Sequence, residues 1–200
     1  VTAGTSEVAA LRGRPRDQDR HEAVLVATRD ALVDVGYSAM SYSDIAARAG
    51  VTRQLLYRWW PAKASLVSEA IFGAGVPALP TRYDGPLERD ARRLVQAIVD
   101  FSRRPDVRSG VAGLMADADA DTPLPGLAEG LLAPLHGSLV ALIDAGVARG
   151  EVRDDVDVDL TLGTFRGAVT MHLLVDRTPP TRLVDHLGEL LALVLARRDD

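Results

Sequence analysis

Apolar residues recur at spacings of three and four along this chain, and no alternating, strand-like run persists. That spacing gathers apolar side chains on one face of a helix and scatters them on a strand, so the chain is expected to be all-α. Val24, Thr28, Ala31, Leu32 and Val35 mark the buried face of a first helix, which Gly36 is placed to end in a left-handed conformation. Ser41 begins a second helix, forming a capping-box-like pair with Asp44 ahead of Ile45, Ala46 and Ala49. Gly50 stops that helix after barely two turns. Thr52 is placed to cap a third short helix ending near Trp59, and Pro61 to open a fourth. After a Pro/Gly-bearing stretch from Val76 to Pro86, longer helices are expected at about 87–102, 106–117, 124–149, 158–176 and 181–197.

A net charge of -5 argues against a polyanionic partner only until the chain is divided. Residues 1–63 carry 9 Arg/Lys against 7 Asp/Glu (+2), and residues 64–200 carry 14 against 21 (-7). Four arginines (Arg12, Arg14, Arg16 and Arg20) crowd the N-terminal arm, followed by Arg48, Arg53, Arg58 and Lys63. Screening confines an exposed charge to about 8–10 Å, so the local sign decides what a groove-binding module meets. Cysteine is absent, which excludes disulfides, thiolate-bound zinc and cysteine nucleophiles and suits a cytoplasmic location. No apolar run approaches the roughly 20 residues that span a bilayer, so no membrane association is expected. Val1 to Ala10 lack a basic n-region and an apolar h-region, so no secretory signal is expected.

Residues 43–60 carry the chemistry. A helix ending at Gly50, a tight turn and a second short helix make a helix-turn-helix, whose second helix enters the DNA major groove. With Arg53 at zero on a helical wheel, Tyr57 falls at about 40°, Gln54 at about 100° and Arg58 at about 140°. Leu55, Trp59 and Leu56 fall at roughly 200°, 240° and 300°. The long polar side chains share one arc and the large apolar ones the other, with Val51 packing from the turn. Arginine can fork onto guanine O6 and N7, and glutamine can pair with adenine N6 and N7. Tyr57 and Arg58 suit phosphates, which set register, and Arg53 suits a base or a phosphate equally. Lys63, the one lysine in the chain, stands at a helix start where free N–H groups already favour an anion.

Three stretches together resemble the DNA-binding domain of the tetracycline-repressor (TetR) family: Gly36-Tyr37; Ser43-Asp44-Ile45-Ala46-Ala47-Arg48-Ala49-Gly50-Val51-Thr52; and Leu56-Tyr57-Arg58-Trp59-Trp60-Pro61-Ala62-Lys63. The arm Gly13-Arg14-Pro15-Arg16 is similar to a leader common in that family. The resemblance spans about residues 17–66. It implies an all-helical homodimer, an operator of two half-sites, and release of DNA when a small molecule binds. By similarity Ser41, Thr52, Arg53, Gln54, Tyr57, Arg58 and Lys63 would touch DNA, with Arg14 reaching the minor groove. Gln54 and Leu55 depart from the family pattern, standing where small residues are common, and Trp59-Trp60 replaces the more frequent Tyr-Phe or His-Phe. The first departure bears on which bases are read; the tryptophans are expected to serve as core.

The expected organisation is a flexible basic arm at 1–16, a three-helix helix-turn-helix domain at 17–63, and a larger helical ligand-binding and dimerisation domain at 64–200. In the last helix Leu183, Leu187, Leu190 and Val194 form one apolar row, and Val184, Leu191 and Leu195 form another. A helix with two rows buries both, most simply one in its own core and one against a partner. With Leu162, Phe165, Val169 and Leu173 of the preceding helix, the first row is expected to make a four-helix dimer interface. Phe101, Met115, His136, Phe165, Arg166, Met171 and His172 are the candidates for an effector pocket, and low aromatic content favours a small or aliphatic effector.

Asp117, Asp119 and Asp121 mimic the start of a calcium loop, but Thr122 replaces its turn glycine and Ala128 its bidentate glutamate. The four histidines are scattered, and no Gly-rich phosphate loop, zinc-protease motif or nucleophile elbow is present. No metal, cofactor or catalytic activity is therefore expected. The leading reading is a ligand-released repressor on a palindromic operator. An activator, and a small-molecule-binding helical protein with a vestigial helix-turn-helix, stay open as alternatives.

Overall fold

The computed structural model describes residues 6–73, 79–117 and 133–197. Among these residues stand ten helices: α1 (Ser6–Asp34), α2 (Gly36–Ala39), α3 (Tyr42–Ala49), α4 (Arg53–Trp59), α5 (Lys63–Phe72), α6 (Leu87–Ser102), α7 (Pro105–Asp117), α8 (Ala133–Ala148), α9 (Val158–Leu174) and α10 (Pro180–Leu195). No strand occurs among the described residues; Val152 and Ala196 make one isolated antiparallel bridge. The all-α expectation holds, and α6, α7, α9 and α10 fall within two residues of their expected limits. The start of the helix expected at 124–149 lies outside the described residues, as do Asp119, Asp121, Thr122 and Ala128.

Two local features depart from the reading of the sequence. The helix α1 runs back to Ser6, through residues expected to form a flexible arm. Glu7, Ala9, Ala10, Leu11 and Arg12 are strong helix formers, while Pro15 inside the helix takes one N–H out of its ladder. At the other end Gly36 is left-handed as expected, with φ +80°, but it opens a further helical turn, α2, before Ser41. Val35 falls past the end of α1, so it is 50% exposed instead of joining the buried row of Val24, Thr28, Ala31 and Leu32.

The chain forms two compact units, Val1–Ile71 with Ser109–Pro125, and Phe72–Arg108 with Gly126–Asp200. The first has α1 packed across α3, burying Val24, Leu25, Ala31 and Leu32 with Ile45 and Ala46. Thr28 is buried without an unmet hydroxyl, because it donates to the Val24 carbonyl at 2.8 Å. The later part of α7 completes this unit through two glycines. A Cβ on Gly110 would meet Ile71 at 2.9 Å, and one on Gly113 would overlap the Tyr37 ring.

In the second unit α6 and α10 pack along their lengths. A Cβ on Gly188 would stand 3.0 Å from the Arg92 Cα, so glycine lets the two backbones approach. Tyr83 donates to Ser138 at 2.7 Å, Ser138 donates to the Pro80 carbonyl, and buried Asp90 accepts the Gly85 N–H at 2.9 Å. These bonds pin the segment before α6 and satisfy Tyr83, Ser138 and Oδ2 of Asp90, while Oδ1 of Asp90 is left without a hydrogen-bond partner.

Both apolar rows of α10 serve the protomer core over their first two turns. Leu183 and Leu187 of the expected dimer row are buried within the protomer beside Val184, Leu191 and Leu195. Leu162, Phe165, Val169 and Leu173 of α9 are buried there too. The four-three-four spacing follows the protomer core, because α6 covers the start of both rows. Only Leu190 (39% exposed) and Val194 (38%) stay open, joined by Leu193 (74%). On α9 the open apolar side chains are Leu160 and Met171, with Gly163 and Gly167 exposed between them.

Candidate nucleic-acid interface

The two helices of the motif are set by their caps. Ser41 accepts the Asp44 N–H at 3.2 Å and donates its hydroxyl to the Asp44 carboxylate at 2.6 Å. Gly50 ends α3 at φ +65°, which an L side chain rarely adopts. Thr52 then accepts the Leu55 N–H at 3.3 Å and starts α4. A seven-residue helix has too few turns to stand alone, so α4 depends on what its inner face reaches. Leu56 supplies that anchor, with no exposure to solvent, and Leu55 and Trp59 are half-buried beside it.

Arg53, Gln54, Tyr57 and Arg58 are all exposed, so the polar arc of the helical wheel faces outward. Arg53 donates to the Tyr57 hydroxyl at 3.0 Å, and its guanidinium carbon lies 5.2 Å from that ring's centroid. Tyr57 in turn leans on the Tyr42 ring, centroids 4.7 Å apart, and Tyr42 donates to the Trp60 carbonyl at 2.8 Å. Burial, with Tyr57 as a smaller cause, pushes the Tyr42 phenol up to about 12, so it stays a neutral donor. The outward tyrosine therefore rests on a fixed inner one. Gln54 and Arg58 make no hydrogen bond, ion pair or ring contact among the described residues.

The two tryptophans differ. Trp60 is the buried one, and its indole N–H donates to Glu69 at 2.6 Å. Trp59, expected in the core, is only half-buried and meets Trp60 edge-on. His21 of α1 lies against both rings and reaches Glu69 at 3.1 Å. The end of α4 is thus tied to α1 and α5. Lys63 does stand at the start of α5, but its ammonium lies over the Tyr37 ring, 4.3 Å from the centroid. The Tyr37 hydroxyl donates to Asp117, and burial chiefly, then Asp117, raises its pKa. Arg48 is ion-paired with Asp34 at 2.6 Å. Arg14 lies within α1, its backbone helical.

Tyr42 was missed in the sequence, although it shares the i, i+3, i+4 face of Ile45 and Ala46. The roles of His21, Glu69 and Asp117 had no local signal, since each depends on a distant helix. The effector candidates differ in burial. Phe101 and Phe165 are buried, Arg166 and His172 half-buried, and Met115, His136 and Met171 exposed. His172 bonds to Thr178 at 3.1 Å and faces Asp176, while His136 faces Asp159 across 3.7 Å. A separate open cleft of about 390 Å³ is lined by Val147, Gly150, Val152, Arg153, Asp154, Asp155 and Arg197. Among the described residues no helix is long and apolar enough to cross a membrane, and no His/Cys/Asp/Glu group could hold a metal ion.

Comparison with known proteins agrees with this geometry. Residues 24–70 match the model of bacterial regulatory proteins of the tetR family, and residues 83–191 match a tetracyclin repressor-like C-terminal domain. The uncharacterised HTH-type transcriptional regulator YdeS of Bacillus subtilis is 27% identical over 167 residues, covering 82% of this chain and 83% of that protein. The HTH-type transcriptional regulator AqdR of Rhodococcus erythropolis is 25% identical over 167 residues, covering 84% and 80%. In fold, the chain is similar to a TetR transcriptional regulator from Agrobacterium tumefaciens (TM-score 0.68, 19% identity, 88% of this chain and 94% of that one). It is also similar to a tetR-family regulator from Streptomyces coelicolor (TM-score 0.67, 20% identity, 88% and 80%). The two matched domains span most of the chain in the order the helices require: it belongs to the TetR family of helix-turn-helix transcriptional regulators.

Proposed function

We propose that this regulator is a homodimeric repressor that binds a palindromic operator through α4 and leaves it when a small molecule binds the second unit. The observation that carries the reading is the outward arc of Arg53, Gln54, Tyr57 and Arg58 on a helix capped by Thr52 and anchored by Leu56. Ser41 and Thr52 serve as caps first and offer their hydroxyls to phosphate second. Lys63 would leave the Tyr37 ring to meet a phosphate near the start of α5, and Arg14 would bring the arm's charge. The working division is an arm at 1–16, a DNA reader at 17–63, and a ligand-binding and dimerising part at 64–200. Phe101, Phe165, Arg166 and His172 are the effector candidates that burial supports.

Titrating the protein against its own upstream intergenic DNA by fluorescence anisotropy, at several salt concentrations, tests the reader. Tight binding that weakens with salt by a log–log slope of about 0.9 per neutralised phosphate is expected. The double substitution Arg53→Ala/Tyr57→Ala is expected to weaken it by about 100-fold or more. Salt-insensitive binding, or binding the double variant retains, argues against this assignment.

The dimer is proposed to form across the open faces of α9 and α10. Leu160, Met171, Leu190, Leu193 and Val194 are exposed there, and the exposed Gly163 and Gly167 leave room for a close neighbour. Light scattering at micromolar concentration is expected to give twice the 21.4 kDa chain mass for the native protein, and the single mass for Leu193→Glu. A monomeric native protein would remove this interface.

A further inference from the structure

We propose that Gln54 is the residue with which this regulator reads an adenine, and that Arg53 and Tyr57 act as one unit on the DNA backbone. The proposal rests on the operator-binding reading above and assigns the work within it. Three of the four outward side chains could read a base by chemistry alone, so the sequence leaves the choice open. The structure separates them by what each already touches.

Arg53 is folded back along α4. Its terminal nitrogen donates to the Tyr57 hydroxyl at 3.0 Å and its guanidinium lies 5.2 Å from the ring centroid. Forking onto guanine O6 and N7 requires the guanidinium to extend edge-on into the groove, and an extended Arg53 gives up both contacts. Tyr57 cannot follow it, because its ring rests on Tyr42, whose hydroxyl is held by the Trp60 carbonyl. A phenol that accepts from a guanidinium keeps its own proton to give, and that acceptance polarises it. A phosphate oxygen takes such a proton well and gains the neighbouring positive charge. Arg53 and Tyr57 together are thus built as a backbone clamp.

Gln54, equally exposed, differs in having no such engagement. It lies about 100° round the helix from Arg53, and its amide makes no hydrogen bond among the described residues. Its carbonyl and NH2 are both unspent, the pair that matches N6–H and N7 of adenine. It lies in the first turn of α4, the end from which a recognition helix reaches base edges. Arg58 is equally free but one turn further along, which suits a second backbone contact. Half-buried Leu55 and buried Leu56 follow Gln54 directly and hold its backbone still.

The test selects binding sites for the full chain from random duplex DNA, then titrates the selected site and its variants by anisotropy. One adenine per half-site is expected to matter to the native protein, with exchange to a G·C pair costing about 5- to 150-fold. Replacing that adenine by 7-deazaadenine, which lacks N7, is expected to weaken native binding and to leave Gln54→Ala unaffected. Arg53→Ala and Tyr57→Phe are expected to weaken every sequence by a common factor, keep the motif, and in the first case lower the salt slope by about one. Circular dichroism melting, expected unchanged for Gln54→Ala, shows that this surface variant is folded. If Gln54→Ala keeps the whole native motif, or Arg53→Ala relaxes one base position, the assignment is overturned while the regulator still binds an operator. If no sequence is enriched at all, the operator reading fails and this one with it.

Discussion

Leu56→Ala is expected to lower the stability of the DNA-reading unit by about 2–5 kcal/mol, the range for truncating a fully buried leucine. Leu56 is the one residue of α4 that solvent does not reach, and the helix has only seven residues. An isolated helix of that length does not persist in water, so its order comes from the anchor. The cap at Thr52 and the tie from Trp60 to Glu69 hold its two ends, but neither fills the space under its middle. Urea denaturation followed by circular dichroism measures the loss. Val26→Ala on α1, where the side chain is 42% exposed, is the control and is expected to change stability by under about 0.5 kcal/mol. DNA affinity should fall with the stability of Leu56→Ala, although Leu56 itself is buried beneath the outward arc. A loss below about 1 kcal/mol, well under the usual range, would show that Leu55 and Trp59 suffice to seat the helix.

Gly113→Ala is the second large effect, of the opposite kind. The added Cβ would stand 2.0 Å from Cγ of Tyr37 and 2.4 Å from its Cβ and Cδ1. Ordinary overpacking costs about 1–3 kcal/mol because neighbours shift to absorb it. Tyr37 has little freedom to shift. Its backbone N–H donates to Ser109 at 3.2 Å, its hydroxyl donates to Asp117, and Lys63 lies over its ring. The cost is therefore expected at the upper end of that range, about 3 kcal/mol. The cause can be isolated by a double-mutant cycle with Tyr37→Ala, which removes the ring that the new methyl strikes. The combined loss is expected to be smaller than the sum of the two single losses. Strict additivity in the melts would mean that the alanine strains something other than Tyr37.

The part of this molecule legible in its sequence is the part built from near neighbours. Ser41 with Asp44, Gly50, and Thr52 with Leu55 act within four residues of one another, and their spacing alone predicts the bonds observed. The outward arc of α4 follows from a fixed rotation per residue and was equally predictable. Legibility fails where a partner comes from far along the chain. Nothing near Tyr37 announces Asp117, eighty positions away, or that a glycine at 113 makes room for the ring. The α10 seam shows a subtler limit. Periodicity says that Leu183 and Leu187 are buried but not by what, and α6 covers them before any partner could. Arg53 and Gln54 look interchangeable as readers until the Tyr57 hydroxyl is seen to engage one of them.

The pairing of Trp59 with Trp60 also has an optical consequence. These are the only two indoles in the chain, and both sit where α4 ends. All tryptophan emission therefore originates beside the recognition helix, from one ring sealed onto Glu69 and one half open to water. A shift of that helix changes the polarity around the open ring first. The protein thus carries an intrinsic, label-free reporter of how its reading head is seated.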